Sequence, residues 1–329
     1  MDENTKRRKN VYPLKLHTGL KWFTIRSMHN HISLTGVYAA AITPLKTDFS
    51  LDLEALPIFL DFLAERGCHG ALLLGTTGEG PSFAANERIS FFRAALEVRQ
   101  VHPDFHLLAG TGTPSLPEAI ALTHAAFDMG FDGVVVLPPY YYRKAGDEGL
   151  YTWFSQVISA AVPENGALFG YHIPAVSGVG LSLDLISRLK ENFPTRFAGL
   201  KDSSGETAHA CQLGERFGND LLVYTGHDRL LTFALENGAG GCITALANLF
   251  SPDLRSIWDA FQNGKQEPEV QKHMENRRII MDGYPPIPAF IKAGINRLAG
   301  FPHWPVRPPL LNLPPDKEQQ AMDEIYPRA

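Results

Sequence analysis

The sequence predicts an α/β fold, a (β/α)₈ TIM barrel with a C-terminal helical appendix, on three observations. From Thr35 onward, short runs of small and β-branched residues alternate with stretches whose apolar residues recur every three or four positions. The strand-like runs are continuously apolar, as expected of parallel strands covered on both faces by crossover helices. Eight such units in about 230 residues match a closed barrel. No GxGxxG follows the first run, so a doubly wound dinucleotide fold loses its best support.

The expected strands are 36–43, 70–75, 106–110, 133–138, 167–171, 197–201, 221–225 and 241–245. Each is short, rich in Val, Ile, Leu, Ala and Gly, and bounded by turn-forming residues. Helical periodicity runs through 53–66, 87–101, 116–129, 151–161 and 183–192. Beyond the eighth strand the helical pattern returns at 253–262, 267–281 and 287–298. A proline-rich stretch, 302–315, then leads to a last helix near 316–325. The chain therefore divides into a basic extension over 1–33, a barrel over 34–250, and the last barrel helix with a helical region over 251–329.

Composition narrows the function classes. The net charge is −5, and no apolar run approaches the roughly 18 residues needed to span a bilayer. An acidic chain lacks the basic surface of a sequence-independent nucleic-acid binder. Cys68, Cys211 and Cys242 are widely spaced, odd in number and outside any CxxC pair. They fit a reducing, cytoplasmic setting rather than a disulfide framework. Residues 1–27 carry net +5, leaving −10 for the remainder, and contain no apolar h-region. Met28 is the expected start, with the preceding stretch a disordered tail or an artefact of the gene model.

In such a barrel the chemistry sits at the carboxyl ends of the strands. There the sequence places Thr43, Gly75-Thr76-Thr77-Gly78-Glu79, Gly110-Thr111-Gly112, Tyr140-Tyr141-Tyr142, Tyr171, Lys201 and Gly226-His227-Asp228. Hydroxyls and a single amine dominate, and clustered carboxylates and histidines are lacking, so neither a metal nor a cofactor is expected. Alternation along the sixth strand puts Lys201 and Ser203 on one face and Asp202 on the other. Asp202 is thus a poor partner for Lys201, and a desolvated amine without a carboxylate is a nucleophile able to attack a ketone. Tyr171 closes the preceding strand, about 4.8 Å away in a parallel sheet, where it can relay protons. Thr76 and Thr77 lie in a glycine-bracketed turn suited to cradling a carboxylate, with Gly75 and Gly78 available for positive φ.

With these residues in place, the chain from about Leu34 onward resembles the family of dihydrodipicolinate synthase and N-acetylneuraminate lyase. The most specific marks are Gly75-Thr-Thr-Gly-Glu79, Tyr171-His-Ile-Pro-Ala-Val-Ser-Gly178 and Gly199-Leu-Lys-Asp-Ser203. The resemblance implies a class I lyase or aldolase that forms a Schiff base with pyruvate or another 2-oxo acid. It implies Lys201 as the Schiff-base lysine and Tyr171 as the proton relay. It also implies Thr76 and Thr77 on the pyruvate carboxylate, helped by the backbone of Ile243. Tyr141 matches a tyrosine that reaches into a neighbouring subunit's site, so a homo-oligomer, dimer or tetramer, is expected.

Departures from the pattern bear on the substrate. Where the synthases carry an arginine for the carboxylate of aspartate semialdehyde, this chain has Val176, and the loss of a bidentate clamp is not neutral. Residues 174–179 resemble the sialate-lyase version instead. That group's sugar-binding positions appear here as Arg229 and Ala245, leaving Gly226 and Asp228. Arg229 is a candidate for an acidic substrate tail. The expected reaction joins or splits pyruvate and an aldehyde through a 2-keto-3-deoxy sugar acid or a 4-hydroxy-2-oxo acid. Dihydrodipicolinate synthase and N-acetylneuraminate lyase activities are the alternatives within that chemistry. Outside it stand a metal-dependent aldolase or hydrolase, for which ligands are lacking, and a carboxylate-binding regulatory barrel. Cys242 has no base placed to activate it and is expected to be a small buried residue.

Overall fold

The computed structural model describes residues 32–327. The basic extension expected over 1–33 lies outside them, apart from Ile32 and Ser33, which open a short 3₁₀ turn ending at Leu34. Among the described residues, β1 (Gly36–Ala40), β2 (Gly70–Leu73), β3 (His106–Gly110), β4 (Gly133–Val136), β5 (Leu168–His172), β6 (Phe197–Asp202), β7 (Leu222–Thr225) and β8 (Gly241–Thr244) form a closed parallel barrel. They neighbour one another in chain order, and β8 pairs back onto β1 with Tyr38 opposite Ile243. Each expected strand is present. Several end sooner than expected because their tops leave the ladder for the loops, as at Thr43, whose hydroxyl donates to Gly78 O (2.6 Å).

Helices α1 (Ala55–Glu65), α2 (Ala85–Ala95), α3 (Leu116–Asp128), α4 (Asp147–Ala161), α5 (Pro174–Ser177) and α6 (Leu183–Asn192) follow the first five strands. Then come α7 (Thr207–Phe217), α8 (Leu231–Glu236) and α9 (Ala247–Gln262), and the C-terminal α10 (Pro268–Asp282), α11 (Ile287–Ala299) and α12 (Pro315–Ile325). Helices α5, α7 and α8 have no counterpart in the sequence-based expectation, and two further details differ. Pro252 marks a kink inside α9 rather than a start, with Phe250 out of helical conformation just before it. The pattern of 87–101 is divided into α2 and a 3₁₀ turn, Leu96–Gln100.

The apolar core has two layers. Large side chains such as Phe59, Phe91, Phe92 and Phe154 fill the space between strands and helices. Inside the barrel, Tyr38, Leu72, Leu108, Val135, Phe169 and Tyr224 stack into a second core. The Tyr38 and Tyr224 rings meet edge to face at 5.5 Å. Both hydroxyls donate to Leu34 O, at 2.8 and 2.5 Å, so the 3₁₀ turn seals the amino-terminal end. Burial raises both phenol pKa values, so each remains a neutral donor.

The C-terminal helices are tied to the loop after β2 by a buried ion pair. Lys292 of α11 donates to Glu79 Oε1 (2.6 Å) and to Pro305 O (2.6 Å). Arg307 N–H donates to Glu79 Oε2 (2.7 Å). Burial pushes the Lys292 ammonium below its ordinary range, against the pull of Glu79. Removing one partner of such a pair strands a buried charge. Lys292→Met should therefore lower unfolding free energy by about 3–5 kcal/mol, read from urea denaturation. The double variant with Glu79→Gln should recover part of that loss.

Candidate active site

At the carboxyl end of the strands a cavity of about 260 Å³ opens over Lys201, Tyr171, Thr76, Thr77, Ser203 and Ile243. Lys201 sits on β6 directly across the ladder from Tyr171 on β5. It is 3% exposed. Its Nζ lies 4.3 Å from the Tyr171 ring centroid, and it makes no ion pair among the described residues. The Tyr171 hydroxyl stands 3.2 Å from Thr76 Oγ1, so phenol and hydroxyl form a short polar path beside the amine, which lies over the Tyr171 ring. Such a path allows an amine to attack a carbonyl while a neighbouring phenol moves the proton.

The outward-facing neighbours behave differently. Asp202 points away from Lys201, with its Oδ1 accepting from Ser204 N–H (3.0 Å) and its Oδ2 3.2 Å from His209 Nδ1. Burial opposes its charge, but contacts with His209 and Ser204 outweigh that cost and hold its carboxyl below the usual range. His172, beside Tyr171, stacks on His209 at 4.4 Å. His172, Asp202 and His209 are grouped closely enough for a metal. However, Leu181 N–H donates to His172 Nδ1 (3.0 Å), which places the proton of the neutral ring on Nε2. While that bond stands, His172 has no lone pair to offer.

The threonine turn departs from expectation in where its backbone strain falls. Leu74 (φ 54°) and Glu79 (φ 57°) take the left-handed conformation, and Gly75 and Gly78 do not. Gly78 is required for closeness instead, since a Cβ there would lie 2.7 Å from Ala41 O. Gly226 plays a similar part on the opposite wall, where a Cβ would fall 1.8 Å from Ser203 Oγ.

Three expected site residues are not brought into the cavity. Asp228 is fully buried and bound by Arg278 (Nη1 to Oδ2, 3.2 Å), because the α10 helix reaches it first. Arg229 is exposed outside the lining, since it turns from the loop toward solvent. Tyr141 is 76% exposed on the loop after β4, packed on Tyr142. Arg278 itself lines the cavity and was not singled out by sequence, where it looks like one more charge on a solvated helix. Its own burial disfavours the charge, but Asp228 and Asp282 raise its pKa above the ordinary guanidinium range. Cys242 is buried, with its thiol pKa pushed well up by desolvation, as a packing residue requires.

The geometry has close counterparts among known proteins. The family model described as "Dihydrodipicolinate synthetase family" matches residues 33–326. The chain belongs to that family. It is 37% identical over 295 residues to an uncharacterized DapA-like lyase of Chloroflexus aurantiacus, covering 89% of this chain and 96% of that one. It is 32% identical over 297 residues to a 4-hydroxy-tetrahydrodipicolinate synthase of Methanosphaerula palustris, covering 88% and 97%. Among solved structures, YagE of E. coli K12, a prophage protein of the dihydrodipicolinic acid synthase family in complex with pyruvate, superposes with a TM-score of 0.82. That pair is 26% identical over 89% of this chain and 97% of the other. Membership makes this chain a class I lyase or aldolase.

The histidine on the cavity wall has a measurable consequence. Burial first, then Arg278 and Arg229, push His227 from 6.5 down to about 4. Burial and Arg255 bring His69 from 6.5 to about 4 as well. Between pH 4 and 6.5 the unfolded chain therefore binds more protons at these sites, and stability rises with pH. The urea midpoint should drop from pH 7 to pH 5, and His227→Gln should show a smaller drop.

Proposed function

We propose that this dihydrodipicolinate synthetase family enzyme is a pyruvate-dependent aldolase acting through a Schiff base on Lys201. One observation carries the proposal. Lys201 is buried without an ion-pair partner among the described residues, and its Nζ lies 4.3 Å over Tyr171, which in turn reaches Thr76.

Lys201 Nζ attacks the C2 ketone of a 2-oxo acid, and the carbinolamine loses water to give an iminium. Tyr171 gives and takes the protons, with the Thr76 hydroxyl as its partner. Thr77 and the backbone at Ile243 hold the substrate carboxylate beside the amine. In cleavage, the C4 hydroxyl gives up its proton and the C3–C4 bond breaks. Its electron pair flows toward the iminium, and the aldehyde leaves. Protonation of the enamine at C3 and hydrolysis release pyruvate and restore the amine. Condensation is the same sequence reversed.

The substrate is a 2-keto-3-deoxy sugar acid or a 4-hydroxy-2-oxo acid. Similarity to 4-hydroxy-tetrahydrodipicolinate synthases favours a second reading, condensation of pyruvate with aspartate semialdehyde. Val176, 61% exposed on the wall of the cavity, argues against it, because no arginine stands there to grip the second carboxylate. Arg229 and Ala245 likewise argue against sialate. Tyr141 and Tyr142, at 76% and 69% exposure, support a homo-oligomer in which Tyr141 serves the neighbouring site. No described helix is long and apolar enough to cross a membrane. The free, widely spaced Cys68, Cys211 and Cys242 support a cytoplasmic enzyme.

Incubation with pyruvate and borohydride should add a reduced pyruvyl group visible by intact mass, and Lys201→Ala should abolish it. An untagged parent protein would sink the Schiff-base mechanism and favour a carboxylate-binding barrel. Tyr171→Phe should lower kcat by about 10²–10⁴-fold in a coupled assay of pyruvate release.

A further inference from the structure

Resting on the aldolase chemistry above, we propose that Arg278 selects the aldehyde half of the substrate. Locked between Asp228 and Asp282, it offers the cavity hydrogen-bond donors without a free charge, and so favours an uncharged hydroxylated aldehyde over an anionic one.

The charged side chains that line the cavity are Lys201 and Arg278. Lys201 is consumed by the Schiff base, which leaves Arg278 to meet the far end of the substrate. Its Nε donates to both oxygens of Asp282, at 2.8 and 2.9 Å, and its Nη1 donates to Asp228 Oδ2 at 3.2 Å. Nη2 stands outside these bonds. One compensating carboxylate is fully buried and the other is half-exposed on the same helix. A second substrate carboxylate would thus be desolvated against a guanidinium already neutralised by two acids. A hydroxyl can accept from Nη2 without that cost.

The rest of the far wall agrees. Ser203 and Ser204 supply hydroxyls, and His227, with its pKa pushed down to about 4, is neutral at ordinary pH. Its buried Nδ1 has no partner among the described residues. Val176, Ile287 and Pro288 complete the wall with apolar surface. A wall of this kind, polar and with its one guanidinium already ion-paired, suits a short polyol chain.

The test compares kcat/KM for condensation of pyruvate with D-glyceraldehyde and with glyoxylate. The parent should prefer glyceraldehyde. Asp282→Asn keeps an acceptor for Nε but removes one compensating charge, and should raise the glyoxylate-to-glyceraldehyde ratio by about fivefold. Val176→Arg, which adds an uncompensated cation to the same wall, should move the ratio in the same direction. Preference for glyoxylate in the parent would overturn the assignment. So would an Asp282→Asn ratio equal to the parent's when Val176→Arg shifts it. Borohydride trapping of pyruvate on each protein separates the two levels. Its loss in the parent would sink the aldolase chemistry itself, whereas intact trapping with an unmoved ratio would remove only the role of Arg278.

Discussion

The buried ion pair between Glu79 and Lys292 is the constraint on which the active-site end depends. Left-handed backbone at a leucine or a glutamate costs on the order of 1–3 kcal/mol each, and the loop after β2 takes it at both Leu74 and Glu79. Such a conformation persists where its surroundings over-determine it. Here Lys292, Arg307 N–H and the close seat of Gly78 against Ala41 supply that determination. The result is a fixed turn that presents Thr76 to Tyr171. The C-terminal helices are therefore part of the site's foundation, although they contribute none of its nucleophilic chemistry.

A second organising rule is the two-residue period of a strand. On β5 and β6, the inward residues Tyr171 and Lys201 meet the cavity, and their outward successors His172 and Asp202 meet α7. Reactive and bracing groups thus alternate along the same few residues. Fixing the outer face through His209 and Leu181 N–H also fixes the angle at which the inner face is offered.

Much of this was legible in the sequence. Eight apolar runs announced the barrel, and the lone amine on an apolar strand pointed to Lys201, which lies buried across the ladder from Tyr171. Helices α7 and α8 went unread for physical reasons. The first buries mainly Leu213 and Phe217 and fits closely through Gly214, where a Cβ would meet Asn237 O at 2.3 Å. The second has six residues, too few for a helical period to declare itself. Asp228 and Arg278 show the other limit. They are separated by fifty positions in sequence, and only the docking of α10 decides that one occupies the other. Strand alternation reports which way a side chain faces, but it carries no information on which later helix claims it.

The packed amino-terminal end of the barrel bears on how the amine is reached. Leu34, Tyr38, Phe169 and Tyr224 pack the inside of the barrel, and the amine faces the cavity at the carboxyl end of the strands. Whatever meets the amine there meets it among the loops, so variation in those loops can change the partner molecule without disturbing the packed base beneath.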